Sequence, residues 1–248
     1  MAFFKSSNPA LKPSTFGTLV GNTYESDVMT VQGTINKSAT LLLLLVGAAV
    51  LSWYLMLGNP AFGYPLMIGG ALGGFGVALC LIFKKEWSPF LAPVYAVLEG
   101  LMLGAVSLMY EAAYSGLVLS AIMLTITVFA AMLFIYKTRI IRVTQQFRMM
   151  IVVATAGIAV FYLVAMVLGF FNISVPLIHS TGTFGIVFSL VVVAIAALNL
   201  VLDFDFIEQG AQQGVPKYME WYGAFGLMVT LVWLYLEILR LLSKLRSR

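Results

Sequence analysis

The chain has 248 residues, of which 61% are hydrophobic and only 10% are charged, and its formal net charge is +4. A soluble domain of this length carries about 25% charged residues, so the composition excludes a water-soluble fold. The single Cys80 and the single His179 exclude an intrachain disulfide, a cysteine-rich metal centre and a histidine cluster. The composition predicts a protein embedded in a membrane.

Residues 1–37 are polar and lack the apolar stretch of a signal peptide, so we expect a cytoplasmic tail there. A membrane domain over residues 38–242 and a basic C-terminal tail over 243–248 follow. The membrane domain holds seven continuously apolar segments, each near the roughly 20 residues that a helix needs to cross a bilayer. They lack the two-residue alternation of barrel strands and predict an all-α bundle of seven transmembrane helices: Ser38–Leu57, Gly63–Phe83, Pro89–Tyr110, Gly116–Tyr136, Met149–Phe171, Gly182–Phe206 and Trp221–Leu242.

The basic residues predict the orientation of the spans. Lysines and arginines precede span one and follow spans two, four and six, whereas the links after spans one, three and five contain none. The positive-inside rule therefore places the N-terminus in the cytoplasm. Seven crossings then place the basic residues of 240–248 outside, against the same rule. Either the basic residues of the other loops determine the orientation, or the last segment is re-entrant or does not fully cross the membrane.

Glu99 lies about ten residues into span three, which is roughly 15 Å deep and near the middle of the bilayer. A carboxyl group at this depth is costly, and such residues usually have a function. We favour a proton-sensitive or cation-coordinating group that faces the bundle interior; the alternative is a structural hydrogen bond to a neighbouring helix. Small residues with the spacing of close helix packing accompany it in span three and in span two: Gly100 and Gly104, and Gly69, Gly70, Gly73 and Gly74.

Four polar residues gather near the end of span six. Asn199 and Asp203 are four residues apart and share one face of the helix, while Asp205 and Glu208 lie on another. This group predicts a cation-attracting mouth or a gate controlled by protonation. The alternative is an acidic helix end in the headgroup region, in contact with cytoplasmic lysines. Carboxylates at a helix C-terminus oppose the macrodipole, which favours the functional interpretation, above all for Asp203.

In span seven, Glu237 and Arg240 are three residues apart and predict a local ion pair with Arg240 reaching the membrane boundary. A functional role for Glu237 is the alternative. The sequence contains no nucleotide-binding motif, and His179, the only histidine, lies in an exterior link. We therefore expect no enzyme activity, no cofactor beyond transient calcium, and no nucleic-acid partner.

Four segments together resemble the Bax inhibitor-1 family, specifically its YccA-like bacterial branch. They are MTVQGTINK at residues 29–37, PVYAVLEGLMLG at 93–104, LDFDFI at 202–207 and LRLL at 239–242. The resemblance implies a seven-helix bundle whose last helix is central and wrapped by the other six. It also implies a pH-sensitive calcium or cation leak in a bacterial inner membrane.

In that family an aspartate at the end of span six pairs with one in span seven, and protonation of the pair governs opening. Asp203 fits the first position, where it would bind calcium transiently. The second position, ten residues before Arg240, is Thr230 in this chain. Asp205, Glu237 or Glu99 are the alternatives for the missing carboxylate.

The competing function is a non-conducting regulator. The resemblance associates bacterial relatives with a membrane-bound AAA protease and animal relatives with suppression of cell death. In that case the polar tail would be the natural contact for a partner.

Overall fold

The computed structural model of the protein describes residues 28–171 and 182–247. Within these ranges the fold is helical, without strands, and an isolated bridge joins Val28 to Pro216. Seven helices are long and apolar enough to cross a membrane, which confirms the predicted fold class. They are α1 (Val31–Gly58), α2 (Gly63–Phe83), α3 (Ser88–Ala113), α4 (Leu117–Lys137), α5 (Gln145–Phe170), α6 (Thr183–Gln212) and α7 (Met219–Arg246).

Helix α1 begins seven residues earlier than the predicted span. Its N-cap is Thr30, whose hydroxyl accepts a hydrogen bond of 2.9 Å from the Gly33 amide. The predicted boundary between tail and membrane domain at residues 37 and 38 therefore falls inside α1. Hydropathy marks where a helix crosses the hydrocarbon, whereas the capping residue marks where the helix begins. Residues 1–27 of the predicted tail, and His179, lie outside the described residues.

The last two helices also extend past their apolar segments. Helix α6 ends at Gln212, six residues beyond Phe206, so Asp203 lies within the helix, nine residues before its end. Helix α7 continues to Arg246, which includes most of the segment predicted as a basic C-terminal tail. Polar side chains at these ends bind to neighbouring helices, as Lys244 does to Ser189 of α6.

Helix α7 stands between two hydrophobic cores. One core joins α7 to α4 and α6, and the other joins it to α1, α2 and α3. More of α7 is buried than of any other span, and α3 follows closely. The prediction that the last helix is central agrees with this arrangement. Helix α5 is peripheral, because α6 is the helix against which it mainly packs.

Glycines allow α3 to approach its neighbours closely. A Cβ atom at Gly100 would lie 2.3 Å from the Leu45 carbonyl oxygen of α1, and one at Gly104 would lie 2.2 Å from that of Ala49. On α2, a Cβ at Gly70 would lie 2.6 Å from the Leu98 carbonyl oxygen. At Gly70, Gly100 and Gly104 the predicted packing role thus corresponds to contacts with backbone of a neighbouring helix. Gly73 and Gly74 face the side chains of Leu98 and Glu99, whereas a Cβ atom at Gly69 would meet nothing within 4 Å.

Helix α7 crosses the whole bundle. Near its start, Glu220 binds Thr30 at the start of α1. At its other end, the Arg246 guanidinium donates to the Ser115 carbonyl in the link between α3 and α4. A helix of 28 residues is about 42 Å long, longer than the hydrocarbon core. The last segment is thus one continuous helix, long and apolar enough to cross a membrane.

Candidate functional site

Asp203 faces α7 from the adjacent helix α6. Its Oδ2 atom is buried without a hydrogen-bond partner. The Thr230 side chain of α7 lies beside the Asp203 carboxyl group, and its hydroxyl donates to the Gly226 carbonyl oxygen one turn earlier at 3.3 Å. The position that the resemblance assigned to a second aspartate is therefore opposite Asp203, and a neutral hydroxyl occupies it.

Asn199 shares its side of α6 with Asp203 but binds to a different helix. Its Nδ2 atom donates to the Thr155 hydroxyl of α5 at 2.8 Å and to the Ile195 carbonyl at 2.9 Å. The amide thus links α6 to α5 in the middle of the bundle. Asn199 and Asp203 lie one helical turn apart and contact different neighbours.

Asp205 is buried in an ion pair with Arg148 at the start of α5. Arg148 Nη2 lies 2.6 Å from Asp205 Oδ2, and Gln209 Nε2 donates to the same oxygen at 2.7 Å. Arginines around α5 were expected to set orientation, and none was predicted as a partner of the acidic group. The Arg148 charge neutralises this part of the predicted cation-attracting mouth.

Glu208 is neutralised in the same way. It accepts a hydrogen bond from the Tyr136 hydroxyl of α4 and pairs with Arg139 at 2.6 Å. Arg139 has a positive φ of 58°, a conformation rare for residues other than glycine. The hydrogen bond that Arg139 donates to Glu208 raises the pKa of the guanidinium further above its high ordinary value. Two arginines, Arg139 in the link after α4 and Arg148 at the start of α5, thus bind two acids of α6.

Glu99 lies between α2 and α3, apart from the acidic group of α6. Its Oε2 atom is buried without a hydrogen-bond partner, and the Tyr95 side chain lies beside the carboxyl group, one turn earlier on the same helix. The carboxyl group fits against Gly74, where a Cβ atom would lie 2.6 Å from Oε1. No hydrogen bond or ion pair between described residues joins Glu99 to Asp203.

Glu237 and Arg240 form the predicted ion pair, at 3.0 Å. The structure adds Tyr162 of α5, whose hydroxyl donates to Glu237 at 3.1 Å and accepts from Arg240 at 2.7 Å. Glu237 is buried although it lies in the C-terminal half of α7. A local pair on one helix is therefore also a contact between α5 and α7.

Two buried charges were not predicted as site residues. Glu220 accepts two hydrogen bonds from Thr30, each of 2.9 Å, and pairs with Lys37. Lys244 donates to the Gly185 carbonyl at 3.0 Å and to the Ser189 hydroxyl at 2.9 Å. Glu220 precedes the apolar part of α7 and Lys244 follows it, so a search for charges within hydrophobic segments passes over both.

The described residues contain no group of three or more His, Cys, Asp or Glu side chains that could hold a metal ion. Asp203 and Thr230 offer one carboxyl group and one hydroxyl, whereas calcium takes six to eight oxygen ligands. The arrangement therefore offers no resident calcium site. A transient contact of Asp203 with a passing cation remains a prediction.

These features define a helical membrane protein with buried, incompletely bonded carboxyl groups in two of its spans. A family model described as Bax inhibitor 1 like matches residues 7–247. The chain belongs to this family, and the family-level resemblance found in the sequence is confirmed. No curated protein and no solved structure gives a significant match.

Proposed function

We propose that the protein is a pH-sensitive cation leak, with Asp203 as the group that responds to pH and calcium as the first cation to test. The observation that carries the proposal is the buried, unpartnered Oδ2 atom of Asp203 at the interface of α6 and α7. An ionised carboxyl group in an apolar interior needs an opposite charge or hydration. None of the four ion pairs among the described residues includes Asp203.

The groups around Asp203 give the direction of the pH dependence. Thr230 faces it from α7, Asn199 on its own helix binds Thr155, and Arg148 from α5 binds Asp205. A protonated Asp203 can pack against the Thr230 hydroxyl in a dry interface. An ionised Asp203 draws water or a cation into that interface. The flux should therefore rise as the pH rises and Asp203 loses its proton.

Calcium flux into liposomes that contain the purified protein and a calcium indicator tests this proposal. Wild type should show a flux that increases with pH, and Asp203→Asn, which stays neutral, should show a low flux at every pH. Glu86→Gln is the matched control, because Glu86 is an exposed acid between α2 and α3 and its loss should leave the profile unchanged. A mutant profile equal to that of wild type would show that Asp203 does not control the flux.

We also propose that the protein acts without catalysis and belongs to the YccA-like bacterial branch. We place it in the inner membrane with its N-terminus in the cytoplasm. Absence of flux in the wild type would favour the competing function, a non-conducting regulator of a membrane-bound protease or of a stress response. Deletion of residues 1–27 then tests partner binding. The deletion must stop there, because Thr30 and Lys37 bind Glu220.

A further inference from the structure

Three polar side chains of α5 occur at intervals of seven residues: Arg148, Thr155 and Tyr162. Seven residues are nearly two helical turns, so the three side chains lie on one face of the helix. Each of them binds to a polar group on the facing helices. We call this row of contacts between α5 and the α6–α7 pair the α5 seam.

The three contacts of the α5 seam follow one another across the membrane. Arg148 binds Asp205 of α6 at 2.6 Å, and Thr155 binds Asn199 of α6 at 2.8 Å. Tyr162 binds the Glu237–Arg240 pair of α7. Arg148 and Tyr162 are fourteen residues apart, which corresponds to about 21 Å of the roughly 30 Å hydrocarbon core.

Little of α5 is fully buried, although Phe161 and Tyr162 contact the Phe188 ring of α6. Of its side chains that the structure describes, Ile151 alone is buried. Between helices in a lipid bilayer, a single polar contact contributes only modestly to association. The α5 seam is therefore a row of polar contacts in an interface that is less buried than the cores around α7, so these contacts can separate at a small cost.

A polar row through a bilayer is the usual lining of a path for water and ions. The seam contains hydroxyl, amide and carboxylate oxygens, which are the ligands that hard cations such as calcium prefer. An arginine neutralises the carboxylate at each end, namely Arg148 on Asp205 and Arg240 on Glu237. Either arginine must release its carboxylate before a cation can bind there.

We propose that the α5 seam is the hydrated route by which cations cross the protein, closed at its two ends by the Arg148–Asp205 and Glu237–Arg240 ion pairs. This inference rests on the proposed leak function. Asp203 lies one turn from Asn199, on the side toward α7. Its ionisation would thus hydrate the interface beside the middle of the route.

Thiol accessibility in proteoliposomes tests the route. In a Cys80→Ser background, which removes the single native cysteine, Thr155→Cys places a thiol in the seam. Val153→Cys is the control, because Val153 is exposed on the lipid side of the same helix and lies at nearly the same depth. The probe is a membrane-impermeant quaternary-ammonium methanethiosulfonate. Ala154→Cys provides a second, half-buried position that leaves the hydrogen bond between Thr155 and Asn199 in place.

We expect the thiols at 155 and 154 to react about tenfold or more faster than that at 153, because a thiol in an apolar environment forms little thiolate. Modification at 155 should also reduce calcium flux at least by about half, since the added cation lies in the route. Equal reactivity at the three positions, or modification without loss of flux, would overturn the seam as the route. A wild type without flux would instead overturn the leak function, whatever the thiol reactivity.

Discussion

Thr230 determines how many carboxyl groups meet at the interface of α6 and α7. Replacement of Thr230 by aspartate places a second carboxyl group opposite Asp203, and two such neighbours share a proton because their like charges repel. We expect the flux of Thr230→Asp to rise at higher pH than that of wild type. Calcium flux in liposomes across a pH series measures the midpoint of this rise.

Thr230→Val is the matched control for this substitution, because valine keeps the shape of threonine and brings no carboxyl group. Its flux should depend on pH through Asp203 alone, with the same steepness as in wild type. A Thr230→Asp profile that coincides with the Thr230→Val profile would contradict a direct interaction between positions 203 and 230. The test thus separates a two-carboxyl switch from a single responding group.

The sequence predicted the local contacts of the candidate site but not the contacts between residues far apart in the chain. The Glu237–Arg240 pair is local, three residues apart on one helix, and its spacing alone predicts it. Asp205 and Arg148 are 57 residues apart, and no periodicity joins them. The basic residues that follow α4 were explained by the positive-inside rule, so there was no separate reason to expect that Arg139 and Arg148 pair with acids of α6.

At the scale of the helices, the contact between α1 and α3 depends on glycines that no other residue can replace without movement. A Cβ atom at Gly100 or Gly104 would meet backbone carbonyl oxygens of α1 at 2.3 and 2.2 Å, and backbone cannot rotate away as a side chain can. We expect Gly100→Ala and Gly104→Ala each to lower the free energy of unfolding by about 1–3 kcal/mol. Unfolding in detergent micelles with increasing denaturant measures the change.

Gly47→Ala is the control for these substitutions, because nothing lies within 4 Å of a Cβ atom at Gly47 in α1. The alanine there should leave stability unchanged or raise it by up to about 1 kcal/mol, since alanine favours the helix. Equal effects at positions 47 and 100 would mean that α1 and α3 are not in close contact. The comparison isolates helix packing from helix propensity.

The sequence predicted the seven helices better than their ends. Continuous apolar segments of about 20 residues specify crossings, because the hydrocarbon thickness fixes their length. The ends depend on polar contacts that hydropathy does not register, such as the Thr30 cap of α1 and the burial of Lys244 in the last turns of α7. Residues 29–37 contributed to the family resemblance. In the structure, Thr30 and Lys37 of this segment bind Glu220 at the start of α7.

At the scale of the whole molecule, polar contacts bind the chain together at both ends of the bundle. At one end, Glu220 holds Thr30 and Lys37, and the Met29 amide donates to the Val215 carbonyl at 2.8 Å. At the other end, Arg246 binds Ser115. The first end contains the start of α1 and the link between α6 and α7. The second contains the end of α7 and the link between α3 and α4.

This arrangement predicts that the two termini of the membrane domain lie on opposite sides of the membrane, despite the basic residues at the end of α7. The side chains of Lys244 and Arg246 are bound to the Gly185 and Ser115 carbonyl groups. They should therefore hold a segment in the cytoplasm less effectively than lysines in open loops. With the N-terminus in the cytoplasm, a phosphatase fused after residue 248 should be active outside the cytoplasm. A phosphatase inserted in the link at residues 138–144 should be inactive and serves as the control. Equal activity of the two fusions would contradict seven crossings, because the end of α7 and the link between α4 and α5 would then share one side.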